Sequence, residues 1–269
     1  MELKIAFTDI DGTLLNSDRE VSKMLKEQVI RITAQGIPFI LISSRMPSAM
    51  THIQKDLGIE GQPLICYNGG LVLIDGEIVD DIFIDPDILE DIAALNEHNK
   101  FHISLYNQND WYVPEMDFWG KREENNTKVT PIVKPIAEVI QLWRNEEKGA
   151  HKVMCMGDKE HMDMVFSTLK KSHGEQLHLY RSKDTYIEIA NKNISKLTGI
   201  EELLACKYPS LTLDNAIAFG DNFNDIEMLK SVRLGIAVAN AKEKVLQIAD
   251  AVSDTNKNDG VAKAIKKHL

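Results

Sequence analysis

The sequence predicts an α/β fold: a doubly wound, mostly parallel sheet core that is interrupted by an inserted α+β domain. In the first and last thirds of the 269 residues, short apolar runs alternate with segments of helical periodicity. Repeated strand–helix units favour a parallel sheet covered by helices. Between the two thirds, polar loops are longer and this alternation is lost. We therefore predict a core formed by residues 1–81 and 187–269, and an inserted domain of residues 82–186.

The first third contains three predicted strands, which are Leu3–Thr8, Ile37–Ile42 and Leu64–Tyr67. The second strand is a continuous apolar run, as expected for a strand buried on both faces. Helical spacing of apolar residues, with Gly or Pro at the ends, predicts helices from Val21 to Ile32 and from Pro47 to Gly58. Asn68-Gly69-Gly70 predicts a turn, and Asp75-Gly76 between two short apolar runs predicts a hairpin.

The middle segment has predicted helices at Asp85–Asn99, Ile136–Glu146 and Glu160–Ser172. Its predicted strands are His102–Leu105, Val153–Met156 and Leu177–Tyr180. In the last third, the predicted helices are Ser195–Cys206, Asp225–Val232, Lys242–Ile248 and Val261–His268. The strands there are Ala216–Phe219 and Gly235–Val238. The first and last thirds therefore form the two halves of one Rossmann-like sheet.

Composition limits the classes of partner. The formal net charge of −10 argues against a general nucleic-acid binder, which needs a basic face. No apolar stretch approaches 18 residues, so we expect no membrane partner. Three widely spaced cysteines without a CxxC pair indicate neither a disulfide framework nor a zinc site, and favour a reduced, cytoplasmic setting. A small anionic substrate stays possible, because a local cation can invert the charge at one site. The oligomeric state is not predicted.

The stretch Phe7-Thr8-Asp9-Ile10-Asp11-Gly12-Thr13-Leu14 places two carboxylates two residues apart, directly after an apolar strand. In an open α/β sheet, ligands bind at the carboxyl ends of the strands. Two neighbouring carboxylates need a cation, a proton or a basic neighbour, and Mg²⁺ would meet that need with oxygen ligands. The alternative is an ordinary turn, because Asp and Gly are common turn residues and Asp11 could cap the segment that follows.

A second acidic group follows the apolar strand Ala216–Phe219, in the sequence Gly220-Asp221-Asn222-Phe223-Asn224-Asp225. Asp225 lies near the start of a predicted helix, where an acidic residue is common as a cap or in the first turn. Asp221 stands at the strand end and has no such role. Two strand ends that each carry acids could bring four carboxylates close together, and such a site needs positive charge.

Arg45 and Lys196 are the candidate sources of that charge. Arg45 follows the second strand through Ser43-Ser44, and Lys196 begins a predicted helix. Two unit charges about 4 Å apart interact by about 4 kcal/mol at an effective dielectric of about 20. A lysine and a divalent metal are therefore enough to let a phosphate approach an aspartate. Considered alone, however, Lys196 is more often a surface lysine, and Ser43 an ordinary cap or turn residue.

Taken in chain order, these elements resemble the haloacid dehalogenase superfamily. The match consists of Asp-x-Asp-Gly-Thr-Leu-Leu at 9–15, Ser43 after the second strand, Lys196, and Gly-Asp-x-x-x-Asp at 220–225. The inserted α+β block after Asn68-Gly69-Gly70, with Asn258-Asp259-Gly260-Val261 near the end, is similar to the Cof-type branch. That branch comprises mostly small-molecule phosphatases with a large cap, so the resemblance implies that residues 82–186 are an α+β cap domain.

The resemblance also implies a role for each candidate residue. Asp9 would be the nucleophile that becomes an aspartyl phosphate, and Asp11 the general acid and then the base. The Mg²⁺ ligands would be the carboxylates of Asp9 and Asp221 and the backbone carbonyl of Asp11, with Asp225 supporting the metal. The residues that would contact the phosphoryl oxygens or the substrate are Ser43, Ser44, Arg45, Lys196 and Asn224. The branch usually has Thr-Gly-Arg where this chain has Ser43-Ser44-Arg45, which leaves open which serine faces the phosphate.

The prediction is therefore Mg²⁺-dependent hydrolysis of a small phosphate monoester, such as a sugar phosphate or related metabolite. An acid at Asp11 points to phosphoryl chemistry, because the dehalogenating members of the superfamily lack it. The closest alternative is a sugar phosphomutase or other phosphotransferase, and a non-catalytic metabolite-binding protein is a third. We expect the cap to determine which ester is cleaved. Four candidate contacts in the cap, which are more often packing residues, are His102, Tyr106, Trp111 and Tyr112.

Overall fold

The fold is taken from a computed structural model, which describes residues 2–269 apart from the side chains of His98 and Ser182. The strands are β1 (Ile5–Thr8), β2 (Phe39–Ile42), β3 (Leu64–Cys66), β4 (Leu71–Ile74), β5 (Glu77–Asp81), β6 (His102–Asn107), β7 (Asp110–Val113), β8 (Ile132–Val133), β9 (Lys152–Met156), β10 (Leu177–Lys183), β11 (Tyr186–Asn191), β12 (Ala216–Gly220), β13 (Leu234–Ala237) and β14 (Ala251–Val252). The α-helices are α1 (Lys23–Ala34), α2 (Ser48–Leu57), α3 (Pro86–Asn99), α4 (Phe118–Thr127), α5 (Ile136–Asn145), α6 (Lys159–His173), α7 (Lys196–Lys207), α8 (Ile226–Ser231), α9 (Glu243–Ile248) and α10 (Gly260–His268). None of the helices within residues 2–269 has the length and apolar character that a membrane span requires.

The chain forms two compact units. The core unit is the chain up to Asp81 together with Ser195–Leu269, and the cap unit is Ile82–Ile194. The sequence placed the end of the cap at residue 186, which is eight residues too early. The reason is β11, which begins at Tyr186 and pairs antiparallel with both β9 and β10. Those pairings keep the chain in the cap unit beyond the predicted boundary.

The core sheet has eight strands in the order β14-β13-β12-β1-β2-β3-β4-β5. The pairs from β14 to β3 are parallel, and β4 and β5 are added antiparallel. Every residue of β1 and β2 is buried, which explains why these strands are continuous apolar runs. The predicted doubly wound, mostly parallel core is confirmed. In the register, Thr8 at the end of β1 lies beside Leu41 of β2 and Phe219 of β12, so these three strands end at one edge.

Local signals account for the ends of the core elements. The Ser22 side chain accepts the Leu25 N–H at the start of α1, and Gly58 ends α2 in the left-handed region with φ of 74°. The predicted hairpin at Asp75-Gly76 joins β4 to β5, with both turn residues at positive φ. The helix predicted at Asp225–Val232 begins one residue later, because Phe223–Asp225 forms a 3₁₀ turn.

The cap unit contains a six-stranded sheet in the order β10-β11-β9-β6-β7-β8, antiparallel except for the β7–β8 pair. Apolar residues of α3, α5 and α6 pack on one face of this sheet. On β6, Ile103 and Leu105 join that core, and the alternate residues His102 and Ser104 lie on the opposite face. The sequence analysis did not predict β7, α4, β8 and β11.

Candidate active site

Three strand ends of the core sheet bring the predicted residues together. Asp9 directly follows β1, and its backbone N–H donates to the carbonyl of Phe219 in β12 at 3.0 Å. Ser43 follows β2, and its N–H donates to the carbonyl of Ile65 in β3 at 3.0 Å. Asp221 follows β12. Because β1 lies between β2 and β12, all three side chains leave the same edge of the sheet, as expected for an open α/β fold.

Lys196 is the buried cation of the site. It is the first residue of α7, where the Ser195 side chain accepts the Thr198 N–H at 3.2 Å and so fixes the start of the helix. Its ammonium donates to the Asp9 carboxylate and, at 2.6 Å, to Oδ1 of Asp225. The side chain is 0% exposed. The alternative of an ordinary surface lysine is therefore wrong.

Asp225 holds the loop that carries Asp221. Its Oδ1 accepts from Lys196, and its Oδ2 accepts the backbone N–H groups of Asp221 and Asn222, both at 2.9 Å. A Cβ added at Gly220 would lie 2.5 Å from the Asp225 Cβ, so the loop can close in this way only over a glycine. Both carboxylate oxygens of Asp225 are therefore used within the protein.

The Asp-Gly-Thr turn packs against Asp221. Thr13 Oγ1 donates to Oδ1 of Asp221 at 2.8 Å. Gly12 has a φ of +89°, and a Cβ there would lie 2.6 Å from Oδ2 of Asp221. Asn240 fixes the turn from the other side, since its Nδ2 donates to the Gly12 carbonyl at 2.8 Å. Gly12 thus provides both an unusual backbone conformation and space for a neighbouring carboxylate.

The site concentrates negative charge. Among the described residues, Asp9, Asp221 and Asp225 offer carboxylate oxygens within 4.8 Å of one another. Burial raises the pKa of Asp9 to about 8, and repulsion by the other two carboxylates adds to this effect, although Lys196 opposes it. Burial likewise raises the pKa of Asp221 to about 6. Burial alone would lower the pKa of Lys196, but Asp225 and Asp9 outweigh it and raise that pKa. One ammonium does not balance three carboxylates, and oxygen donors of this kind fit a hard divalent cation.

The Asp11 carboxylate is not part of this group of three. Arg45 binds it with two parallel hydrogen bonds, from Nε to Oδ2 and from Nη2 to Oδ1, each 2.7 Å long. Arg45 Nη1 also donates to the carbonyl of Ala49 at 3.1 Å. The sequence analysis predicted Arg45 as a substrate contact, whereas in this structure its donors bind Asp11 and the Ala49 carbonyl in α2.

The remaining predicted contacts differ in burial. Ser43 is buried, and its Oγ accepts the Arg45 backbone N–H at 3.3 Å, whereas Ser44 is half-buried. Asn224 is half-buried, and its Nδ2 donates to Oδ1 of Asn68 at 3.0 Å. The structure therefore connects Ser43 and Asn224 to the site loops.

Asn68 and Gly69 are site residues that the sequence analysis did not identify. The Asn68 N–H donates to the Ser43 carbonyl at 2.8 Å, and its side chain accepts from Asn224, so it joins the loops after β2 and β12. Gly69 has a φ of +99°, and a Cβ there would overlap the carbonyl oxygen of Ser195 beside Lys196. The available signal was the Asn-Gly-Gly turn, which indicated positive φ without indicating what the turn contacts.

All four candidate contacts in the cap are buried: His102, Tyr106, Trp111 and Tyr112. The Tyr106 and Trp111 rings stack with centroids 5.5 Å apart, and the Tyr112 ring meets Trp143 edge-on at 5.7 Å. His102 hydrogen-bonds to Asp117 at 2.9 Å and to Ser104 at 2.7 Å. These contacts favour the packing interpretation over the substrate-contact one.

The chain is similar to known proteins both in sequence and in structure. A family model described as haloacid dehalogenase-like hydrolase matches residues 6–265. A Haemophilus influenzae protein with the name "Putative phosphatase" is 32% identical over 265 residues, which cover 97% of each chain. The 5-amino-6-(5-phospho-D-ribitylamino)uracil phosphatase YcsE of Bacillus subtilis is 27% identical over 273 residues, which cover 99% of this chain and 96% of that protein.

Among solved structures, a haloacid dehalogenase-like hydrolase from Bacteroides thetaiotaomicron is 27% identical, with a TM-score of 0.90 and 100% of both chains covered. The predicted resemblance and the predicted enzyme class, a phosphatase, are confirmed. The family model matches nearly the whole chain, including the strand ends that carry Asp9 and Asp221, and this chain belongs to the haloacid dehalogenase-like hydrolase family.

Proposed function

We propose that this phosphatase hydrolyses a small phosphate monoester, a sugar phosphate or related metabolite, with Mg²⁺ and through an aspartyl phosphate on Asp9. The observation that carries the proposal is the position of Asp9. Its carboxylate lies at the end of the central strand, bound by the buried Lys196 and close to two further carboxylates. A cation beside this carboxylate would attract the oxygens of a phosphoryl group. The carboxylate would then be close enough to attack the phosphorus atom.

The acidic group supports the choice of Mg²⁺. Oxygen donors from Asp9 and Asp221 suit this ion. Burial, with a smaller contribution from repulsion among the carboxylates, raises the pKa values of both groups, and a divalent cation would offset both effects. The backbone carbonyl of Asp11 would complete the protein ligands. Asp225 would act by holding Asp221 and Lys196, because its own oxygens are already used. When bound, Mg²⁺ would neutralise charge on the carboxylates and on the phosphoryl oxygens.

The other residues would position the phosphoryl group and move protons. Lys196 and Ser43 would contact phosphoryl oxygens, with Asn224 as a further contact. Asp9 would displace the leaving alcohol, whose oxygen takes a proton from Asp11. Water would then attack the phosphorus of the aspartyl phosphate and give its proton back to Asp11. The cap would set which ester is accepted, and we propose that the protein works in the reduced setting of the cytoplasm.

Small metabolites are proposed as substrates because of the relatives. The Bacillus subtilis relative is, by its name, a phosphatase of a phosphorylated ribitylamino-uracil. Such esters are dianions, and Lys196 together with a divalent cation would offset the overall charge of −10 at the point of binding.

A screen of inorganic phosphate release would test the proposal. The purified protein with Mg²⁺ would be incubated with a panel of phosphorylated metabolites and with p-nitrophenyl phosphate, and the Asp9→Asn variant would be the matched control. We expect phosphate release from some sugar phosphates and none from the variant. Transfer of the phosphoryl group to an added sugar without phosphate release would instead support a phosphotransferase. No reaction with any ester would contradict both.

A further inference from the structure

Arg45 and Asp11 form a closely held pair. The guanidinium and the carboxylate meet through two parallel hydrogen bonds of 2.7 Å, the geometry in which an arginine fixes both the position and the plane of a carboxylate. Arg45 is anchored by its bond to the Ala49 carbonyl and by its backbone N–H, which donates to Ser43 Oγ. Its side chain is 12% exposed, whereas that of Asp11 is 49% exposed. The arginine is therefore the fixed partner, and Asp11 is the partner that is held.

The donors of Arg45 are largely used in this arrangement. A guanidinium has five N–H donors. Three of them bind Asp11 and Ala49, including both donors of the edge formed by Nε and Nη2. The other carboxylates of the site have different partners, namely Lys196, Thr13 and backbone N–H groups. The edge of Arg45 formed by Nε and Nη2 is thus occupied by Asp11 and does not bind substrate in this arrangement.

We infer that Arg45 is a positioning residue that holds the carboxyl group of Asp11 in place for the second half of the reaction. This inference rests on the proposed function. In that half-reaction, the oxygen of a water molecule forms a bond to phosphorus, and the bond between phosphorus and the Asp9 oxygen breaks. The electron pair returns to the Asp9 carboxylate, the proton of the water goes to Asp11, and phosphate leaves. Two parallel hydrogen bonds from one guanidinium fix the position and the plane of the carboxyl group that must accept this proton.

The two half-reactions should depend on Arg45 to different degrees. p-Nitrophenolate is a good leaving group that hardly needs a proton, so the first half-reaction with p-nitrophenyl phosphate should depend little on Arg45. The second half-reaction should become rate-limiting once Asp11 is no longer held. The Arg45→Ala variant should therefore release one equivalent of p-nitrophenolate per site in a burst. A steady state slower than wild type by about tenfold to a hundredfold should follow, and KM should fall with kcat, because kcat/KM reports the first half-reaction and should stay close to wild type.

Stopped-flow measurement with p-nitrophenyl phosphate and Mg²⁺ would test this, using wild type and four variants: Arg45→Ala, Arg45→Lys, Asp11→Asn and the double variant Arg45→Ala with Asp11→Asn. If Arg45 acts through Asp11, the double variant should be no slower than Asp11→Asn alone. Added guanidinium ion should restore part of the steady-state rate of Arg45→Ala and none of that of Asp11→Asn. Arg45→Lys keeps the charge without the paired donors and should show a burst intermediate between those of wild type and Arg45→Ala. If thermal melting shows that Arg45→Ala is unfolded, Arg45→Lys replaces it in the comparison.

Two results would overturn the inference. One is that Arg45→Ala shows no burst and raises KM by the same factor in the wild-type and Asp11→Asn backgrounds. That result is expected if Arg45 binds the phosphate of the substrate instead. The other is fully additive losses in the double variant. Failure of the proposed function looks different, because wild type itself would then release no p-nitrophenolate.

Discussion

Replacing Lys196 by Met should destabilise the protein strongly at alkaline pH. The ammonium is fully buried and is shared by Asp9 and Asp225, which are themselves buried. Methionine has a similar length and no charge, so the variant would leave two buried carboxylates without their cation. Breaking a buried pair in this way costs about 3–5 kcal/mol. In a chain of this size, each kcal/mol lowers the melting temperature by about 2–4 °C, so the expected decrease is about 6–20 °C.

The sign of the pH dependence follows from the carboxylates. Burial and the neighbouring carboxylates already raise the pKa of Asp9 to about 8 while Lys196 opposes them, and loss of the ammonium would raise that pKa further. An acid whose folded-state pKa is raised contributes stability at low pH that is lost as the pH rises through that pKa. The decrease should therefore be small at pH 5 and large at pH 8.

Lys207 provides the matched control for this experiment. It ends the same helix, α7, and pairs with Asp75 at 2.6 Å, but the Asp75 side chain is 69% exposed. An exposed pair contributes about 0–1 kcal/mol, so Lys207→Met should melt close to wild type. The assay is thermal unfolding by circular dichroism in chelator at both pH values. A Lys196→Met protein that melts within about 2 °C of wild type at pH 8 would refute the charge argument.

Three further predictions concern the same site. Asp9→Asn should abolish turnover and keep the wild-type circular dichroism spectrum, because the amide is nearly isosteric but is a poor nucleophile; a variant that keeps a tenth of the activity would show that Asp9 is not the nucleophile. Chelation should remove activity. Mg²⁺ should raise the melting temperature more at pH 8 than at pH 5, because protons compete with the metal ion for Asp9 and Asp221, whose pKa values are about 8 and about 6. Equal increases in melting temperature at both pH values would contradict this. Gly12→Ala should lose about 1–3 kcal/mol of stability and bind Mg²⁺ more weakly, because its Cβ would lie 2.6 Å from Asp221 Oδ2. Gly76→Ala is its control, with a φ of +86° and nothing within 4 Å, and should show only the loss of stability; unchanged Mg²⁺ titration of Gly12→Ala would refute the steric argument.

The elements that could be predicted from sequence are those whose burial fixes their composition. β1 and β2 are buried on both faces, so nearly all of their residues are apolar and the runs are recognisable in the sequence. The missed elements lack that constraint. α4 is a largely polar helix whose start depends on one capping bond, from the Gly120 N–H to the Asp117 side chain. β8 has only two residues, both exposed, and exists through its pairing with β7.

The same distinction applies to the site. Asp9, Asp221 and Ser43 could be placed because each directly follows a recognisable strand, and parallel strands end together. The contact between Arg45 and Asp11 could not be predicted, because it depends on how two loops fold after their strands end. Asn68 shows the same limit, since a turn sequence fixes the local backbone and leaves its distant partners unspecified.

Lys196 could be identified by a charge argument but not by its local sequence. Its local sequence favours a surface lysine, and 187 residues separate it from Asp9. What pointed to it was the charge requirement: carboxylates gathered at two strand ends need cations, and buried charges persist only with partners. In the structure, Lys196 meets this requirement for Asp9 and Asp225, and Arg45 meets it for Asp11. Asp221 accepts a hydrogen bond from the Thr13 hydroxyl and pairs with no cationic side chain among the described contacts, so the proposed metal ion would be its counter-charge.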